Sequence, residues 1–269
     1  MSEPRETALI TGASSGIGEA LTRIFAQHRY NLILVARNQQ KLDELAAELS
    51  SAHGVNVCVR PCDLCNTEDI HSLCDGLLSE ATPIDVLVNN AGTIEHGSFL
   101  RIPPKDHQRV VQLNIAALTT LLAHLLPPMV KRGKGRVLNV ASIGAFQPLP
   151  SVATYAASKA FVLSLTEALS EEVRGTGVTI TALCPGLTAT NMVAGAQQKS
   201  PALQRIPSFV VADANSVAQK AFDACMRGDA LLVPGFKNKF ASVLSRATPK
   251  WLVRWITGLV GRSTIPKPS

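Results

Sequence analysis

The sequence predicts an α/β fold: a single domain with one doubly wound, seven-stranded, mostly parallel sheet flanked by helices. Three observations lead there. Short, near-continuous apolar runs recur along the chain, as fits strands buried on both faces. Amphipathic helical stretches separate them, and strand–helix alternation implies a parallel sheet wound by right-handed crossovers. No linker or internal repeat divides residues 1–235.

The strands are expected at 7–11 (TALIT), 31–36 (NLILVA), 55–60 (VNVCVR), 85–89 (DVLVN), 135–141 (GRVLNVA), 177–184 (GVTITALC) and 230–234 (ALLVP). The stretch 38–52 places Leu42, Leu45, Ala46 and Leu49 on one helical face, and 66–80 reads as another helix. Residues 110–130 contain no Asp, Glu, Lys or Arg and reach membrane-spanning length. Gln112, Asn114 and His124 interrupt them and βα units flank them, so a long helix buried between sheet and partner subunit is the preferred reading. Residues 190–212 are less regular and are expected to form a flap.

Composition narrows the function. Apolar residues make up 46% of the 269, enough for a sizeable core, while aromatics at 4% disfavour a stacking platform for nucleic acid. The net charge of +6 is uneven: no Asp or Glu follows Asp229, and Lys237, Lys239, Arg246, Lys250, Arg254, Arg262 and Lys267 are unopposed. The basic balance therefore belongs to the tail, and no nucleic-acid partner is expected. No secretory signal is read at the N-terminus, so a cytoplasmic protein with reduced thiols is expected. Cys62-x-x-Cys65, followed by His71 and Cys74, has a metal-site look. A structural zinc organises small loop-rich modules rather than a strand–helix junction, so no metal is expected.

After the first strand comes Thr11-Gly12-Ala13-Ser14-Ser15-Gly16-Ile17-Gly18, opening a helix. Glycines permit a tight turn and close approach to a pyrophosphate, and the helix N-terminus offers N–H groups to it. At the end of the second strand an acidic side chain would grip a ribose 2′-hydroxyl; this chain has Ala36-Arg37 instead. A guanidinium bonds a phosphate bidentately, so NADP(H) is expected over NAD(H).

Tyr155-Ala-Ala-Ser-Lys159 sits in a helical pattern, where i and i+4 share a face. A nearby ammonium is expected to lower the phenol from its usual pKa of ~10, as proton exchange with a carbonyl or alcohol requires. The pair means little alone. Ser142 adds weight, because it follows a strand's carboxyl end, where doubly wound sheets bind ligands.

As a set these motifs resemble the short-chain dehydrogenases/reductases. The matching pieces are TGASSGIG at 11–18, Asp63, Asn89-Asn90-Ala91-Gly92, Asn114, Ser142, YAASK at 155–159, and Pro185-Gly186 followed by Thr188 and Thr190, in order and at family spacing. The resemblance implies a Rossmann-type catalytic domain over 1–235 and an NADP(H)-dependent oxidoreductase. It makes Tyr155 the general acid/base and Ser142 the group that polarises the carbonyl. Lys159 would bind the nicotinamide ribose, and Asn114 would hold a water of the proton relay. Asp63 and Leu64 would meet the adenine, Asn90, Ala91 and Gly92 the ribose, and Pro185, Gly186, Thr188 and Thr190 the carboxamide. Gly12, Ser14, Ser15, Gly16, Ile17 and Gly18 would cradle the phosphates. Such proteins commonly form homodimers or homotetramers, here through helices 105–131 and 152–174.

The substrate walls are expected at 93–99, 143–150 and the flap, with Ile94, His96, Phe99, Ile143, Phe146, Leu149, Met192, Leu203, Ile206, Phe209 and Val210. An apolar pocket would suit a lipophilic ketone, aldehyde or secondary alcohol; equally, these residues can simply pack the flap. Residues 236–269 form a basic amphipathic extension, in which Phe240, Val243, Leu244, Trp251, Trp255 and Leu259 recur at helical spacing and Thr248-Pro249 starts a helix. Such a helix, over 236–262, can touch a membrane surface, cap the pocket or pack on a subunit. A non-catalytic NADP(H) sensor or scaffold and a membrane-surface adaptor are the alternatives to an enzyme.

Overall fold

The computed structural model describes residues 5–80, 82–188 and 212–235. Strands and helices alternate: β1 (Thr7–Thr11), α1 (Gly16–Gln27), β2 (Asn31–Ala36), α2 (Gln39–His53), β3 (Val57–Pro61), α3 (Thr67–Ser79) and β4 (Val86–Asn89). Then come α4 (Pro104–Val111), a π-helical turn (Gln112–Ala116), α5 (Ala117–Arg132), β5 (Gly135–Val140), a 3-10 turn (Ile143–Phe146), α6 (Ala153–Glu172), β6 (Val178–Leu183), α7 (Ala214–Arg227) and β7 (Leu231–Leu232). All seven expected strands form within a few residues of their expected bounds. Three helices, α2, α3 and α7, start where short polar side chains accept backbone N–H groups: Asn38 from Lys41, Asn66 from Glu68 and Asp213 from Ser216.

The strands form one sheet in the order β3-β2-β1-β4-β5-β6-β7. Every pairing is parallel, so the expected mostly parallel sheet is parallel throughout. Leu9, Ile10, Leu34, Leu87, Val88, Val137 and Leu138 are fully buried, the double-sided burial their apolar runs imply. One face carries α1, α2 and α7, where Phe25 meets Phe222 and Tyr30 edge-on at 5.0 and 5.1 Å. The other face carries α5 and α6. There Leu121, Leu122, Leu125 and Met129 place the apolar stretch 110–130 in the core. Each such side chain contributes roughly 1.5–3 kcal/mol when fully buried.

A polar ladder crosses this second layer. Asn89 Nδ2 donates to Asn139 Oδ1 (2.9 Å), Asn139 Nδ2 donates to Thr166 Oγ1 (3.0 Å), and Thr166 Oγ1 donates to the Val162 carbonyl (2.6 Å). The ladder pins α6 to β4 and β5 through atoms that would be costly to leave unpaired.

Strand order reverses between β1 and β4, which opens a crevice at the carboxyl ends of the strands. Thr11, Asn89, Val140 and Leu183 end the strands there, and the expected site residues follow them. Of the expected flap only Ala212 is described; its N–H donates to the Leu187 carbonyl (2.8 Å). The expected helix in 236–269 lies outside the described residues, as does Thr190.

Candidate functional site

A cleft of about 660 Å3 runs along the crevice. At one end lie Ala36, Arg37 and Asn38 after β2, with Cys62, Asp63, Leu64 and Cys65 after β3. Gly12, Ser14, Ser15, Gly16 and Ile17 line its middle, facing Asn90, Ala91 and Gly92. Tyr155, Lys159, Pro185, Gly186 and Thr188 close the far end. Most of the expected cofactor residues thus converge, from segments up to 176 positions apart in sequence (Gly12 to Thr188).

Gly18 does not line the cleft. It packs beneath the turn: a Cβ there would lie 2.3 Å from the Gly12 carbonyl oxygen and 2.4 Å from Asn90 Nδ2. Gly12 adopts a left-handed φ of +67°, and a Cβ there would meet Asn90 Nδ2 at 2.7 Å. Asn90 explains this tightness. Its Nδ2 donates to the Thr11 (2.9 Å) and Gly12 (3.3 Å) carbonyls, while Thr11 Oγ1 accepts from the Asn90 (3.0 Å) and Ala91 (3.1 Å) N–H groups. Asn90 therefore knits the glycine turn to the end of β4. The α1 N-cap, Ser15, makes no side-chain cap, so the first N–H groups of α1 face the cleft without that partner.

Arg37 is exposed at the cleft's edge, and among the described residues its guanidinium has no hydrogen-bond or ion-pair partner. Asp63 Oδ1 accepts the Cys65 N–H (3.0 Å), which folds the loop so that both Asp63 and Leu64 line the cleft. Burial pushes the Cys62 thiol up to about 11, with the Asp69 and Asp63 carboxylates adding to the shift. Cys74 is raised to about 11 in the same way, by burial first.

The reactive end is built from β5, β6 and α6. Ser142 caps the 3-10 turn, its Oγ accepting the Gly144 N–H (3.0 Å), and the Ile143 N–H holds the Pro185 carbonyl beside it (3.0 Å). The Ser142 hydroxyl is near enough to the Tyr155 phenol to favour its ionised form. Lys159 is 4% exposed; its Nζ donates to the Val140 carbonyl (2.7 Å) and stands 5.9 Å from the Tyr155 ring centre. Tyr155 and Lys159 thus share a face of α6, as their spacing requires.

The electrostatics differ from expectation. Burial pushes the Tyr155 phenol up from its ordinary value, opposed by the Ser142 hydrogen bond; it is not lowered by the lysine. Lys159 is itself pushed down to about 8 by burial. Burial is the largest cause of both shifts, and the ammonium donates to the Val140 carbonyl.

Asn114 lies behind Gly92, in the π-helical turn between α4 and α5. Its Oδ1 accepts the Thr93 N–H (2.8 Å), and its Nδ2 donates to the Thr93 carbonyl (3.0 Å) and to Ser158 Oγ (2.9 Å). A Cβ on Gly92 would lie 3.2 Å from Asn114 Oδ1 and 3.4 Å from Lys159 Nζ, so both groups border the same point of the cleft wall.

Ala36, Asn38, Cys62, Cys65, Leu113, Val140 and Ala141 also line the cleft without having been expected there. All but Val140 adjoin an expected residue in the sequence, which is the signal that could have found them. Of the expected substrate walls, Phe99 is 60% exposed and stacks on His107 at 4.3 Å. His96 is half-buried, and burial lowers its imidazole from the ordinary value. Met192, Leu203, Ile206, Phe209 and Val210 lie outside the described residues.

The shape and donors of the cleft fit a dinucleotide. A left-handed glycine opens its floor, α1 points into its middle, and the Arg37 guanidinium stands at one end.

Comparison with known proteins agrees. A family profile described as short chain dehydrogenase matches residues 6–201. The chain is 34% identical over 202 residues to the ketoacyl reductase HetN of Nostoc sp., covering 75% of this chain and 70% of that one. It is 33% identical over 204 residues to the 3-oxoacyl-[acyl-carrier-protein] reductase FabG of Rickettsia prowazekii, covering 75% and 81%. Among solved structures, a short-chain dehydrogenase from Sphingobium yanoikuyae in complex with NADPH matches at 30% identity and a TM-score of 0.79, covering 98% of both chains. The bulky-bulky ketone specific alcohol dehydrogenase of Comamonas testosteroni matches at 30% and 0.78, covering 98% and 96%. By its motifs, its all-parallel sheet, the cleft at the strand reversal and these relatives, the chain belongs to the short-chain dehydrogenase/reductase family of oxidoreductases.

Proposed function

We propose that this protein is an NADP(H)-dependent reductase of a lipophilic ketone or aldehyde, with Tyr155 as proton donor. The observation that carries the reading is Tyr155 and the buried Lys159 on one face of α6, 5.9 Å from ring centre to Nζ, lining one end of a dinucleotide-sized cleft with Ser142 acting on the phenol.

The phosphate backbone of the cofactor would rest on the N–H groups of the glycine turn, and its 2′-phosphate on Arg37. Bound there, the cofactor supplies a hydride. Lys159 and the Asn90–Gly92 strip would hold the nicotinamide ribose, and Pro185, Gly186 and Thr188 would face its carboxamide. Ser142 would hold the carbonyl oxygen of the substrate and polarise it. Tyr155 would give its phenolic proton to that oxygen as charge develops there. Burial favours the protonated phenol, the state that reduction needs, and the Ser142 hydroxyl acts in the opposite sense, favouring loss of the proton. NADPH in the Sphingobium complex and the ketone specificity of the Comamonas enzyme support the assignment of cofactor and substrate class. The exposed Val111 on α4 and Phe161 on α6 support a homo-oligomer formed through these helices.

A panel of ketones, aldehydes and alcohols assayed with NADPH and with NADH tests the proposal. Preferred reduction of apolar ketones or aldehydes with NADPH is expected. Equal or better use of NADH would remove the role given to Arg37, and inactivity toward every carbonyl would remove the reaction.

A further inference from the structure

The helix that carries Tyr155 and Lys159 is tied down twice. The lower tie is the Thr166–Asn139–Asn89 ladder to the sheet. The upper tie is different in kind, because it joins α6 to the wall of the cleft. Ser158 is 1% exposed. Its Oγ donates to the Tyr155 carbonyl at 2.7 Å and accepts from Asn114 Nδ2 at 2.9 Å. Asn114 then grips both backbone groups of Thr93, at 2.8 and 3.0 Å.

An asparagine amide has two donor hydrogens. Both are spent here, one on Thr93 and one on Ser158. The side chain of Asn114 thus has no donor left for a substrate or water, and what it offers the cleft depends on where these bonds hold it. Without Ser158, one amide hydrogen would be buried and unpaired, and the link from the π-helical turn to the first turn of α6 would be lost. Those two segments bear on one point: Asn114 Oδ1 and Lys159 Nζ flank the same position at Gly92, within 3.2 and 3.4 Å of a Cβ built there.

We propose that Ser158 is a positioning residue for proton transfer, bonding the Tyr155 backbone and the Asn114 amide so that Tyr155, Lys159 and the Gly92–Thr93 wall keep one mutual placement. This rests on the reading of Tyr155 as the proton donor. Proton transfer is sensitive to small displacements, whereas cofactor affinity, spread along the whole cleft, is less so.

The test compares Ser158→Ala with Thr166→Ala in the full-length enzyme, measuring kcat, KM, NADPH affinity, melting temperature and the solvent deuterium isotope effect on kcat. Both variants cut one buried hydrogen-bonded tie of α6, so both should melt lower. Ser158→Ala is expected to lower kcat roughly 10- to 100-fold, with NADPH affinity within about twofold of the parent and a larger isotope effect. Thr166→Ala is expected to keep the parent kcat and isotope effect. If the two variants match in kcat and isotope effect, Ser158 is only a structural tie and the proposal is overturned. Should Ser158→Ala not fold, Ser158→Cys, which keeps a weak donor and acceptor, replaces it; it must show the same changes in smaller degree, and parental values overturn the proposal. Tyr155→Phe is run alongside: activity retained there defeats the reading of Tyr155, whatever Ser158 shows.

Discussion

Replacing Gly18 with alanine separates steric crowding from helix propensity. Alanine is the better helix former by about 1 kcal/mol, so propensity alone predicts a gain. The geometry predicts a loss. The new methyl would lie 2.3 Å from the Gly12 carbonyl oxygen and 2.4 Å from Asn90 Nδ2, about 1 Å inside ordinary contact. Neither neighbour can swing away freely, since one is backbone and the other is bonded to the Thr11 and Gly12 carbonyls. Overpacking of this kind costs about 1–3 kcal/mol, and a broken hydrogen bond adds about 1. After the propensity gain of about 1 kcal/mol is set against these, a net loss of about 1–3 kcal/mol is expected, divided between stability and NADPH affinity. Gly76 is the internal control: it is a helical glycine in α3, exposed, and a Cβ there would have nothing within 4 Å. Gly76→Ala should raise the melting temperature by roughly 2 °C for a chain of this size. Thermal melts with and without NADPH, together with an NADPH titration, give both quantities. If Gly18→Ala binds NADPH as the parent does and melts no lower, the turn is not the tight cradle described above.

Other perturbations probe the remaining parts of the site and its scaffold. Arg37→Ser removes the guanidinium at the cleft's edge and should cut the NADPH-over-NADH preference in kcat/KM by about tenfold or more, one to two charge-assisted hydrogen bonds' worth. Lys159 is held near 8 in the folded protein against an ordinary 10.5, so the unfolded chain binds more protons between those values. Its contribution to stability therefore rises as pH increases from about 8 to 10.5, by about 3 kcal/mol, and is most unfavourable below 8. The buried Cys62 and Cys74 thiols, raised to about 11, act in the opposite sense over this range, so the Lys159 contribution is read as the difference in urea stability between the cofactor-free parent and Lys159→Met; that difference should shift in the parent's favour from about pH 8 to 10.5, and a difference that does not change with pH would contradict the burial argument. Asp85→Ala leaves the buried Thr7 N–H without its 2.9 Å acceptor and should destabilise by about 1–3 kcal/mol in urea melts while sparing kcat. Charging the exposed helix faces with Val111→Glu and Phe161→Glu should lower the oligomeric state seen by light scattering.

Much of this was legible in the sequence, for physical reasons. Strands buried on both faces must be apolar throughout, so TALIT, NLILVA and DVLVN announced themselves, and the glycine turn was recognisable from the strand before it and the helix after it. Apart from Tyr155 and Lys159 on α6, the expected residues that line the cleft follow strand ends, and the strand order makes those ends adjacent. What stayed hidden depends on contacts across space. Nothing local marks Thr11 Oγ1 as the acceptor for Asn90 and Ala91, 79 and 80 positions away. Ser158 looks like filler inside Tyr155-Ala-Ala-Ser-Lys159 until Asn114 arrives from 44 residues upstream. Gly18 is expected against the phosphates but packs under the turn, because motif spacing gives no depth. The direction of the Tyr155 shift is missed for a similar reason. Spacing shows that a lysine shares the helix face, not how deeply both are buried or which way the ammonium turns.

The central claim is that Tyr155 moves the proton while the rest of the cleft holds the cofactor. Its most direct measurement is Tyr155→Phe, assayed for carbonyl reduction and for NADPH affinity on the same sample. Turnover is expected to fall by at least about 100-fold, within the usual range for a lost general acid, with NADPH affinity near that of the parent. Carbonyl reduction at the parental rate by a folded, NADPH-binding Tyr155→Phe protein would contradict the claim.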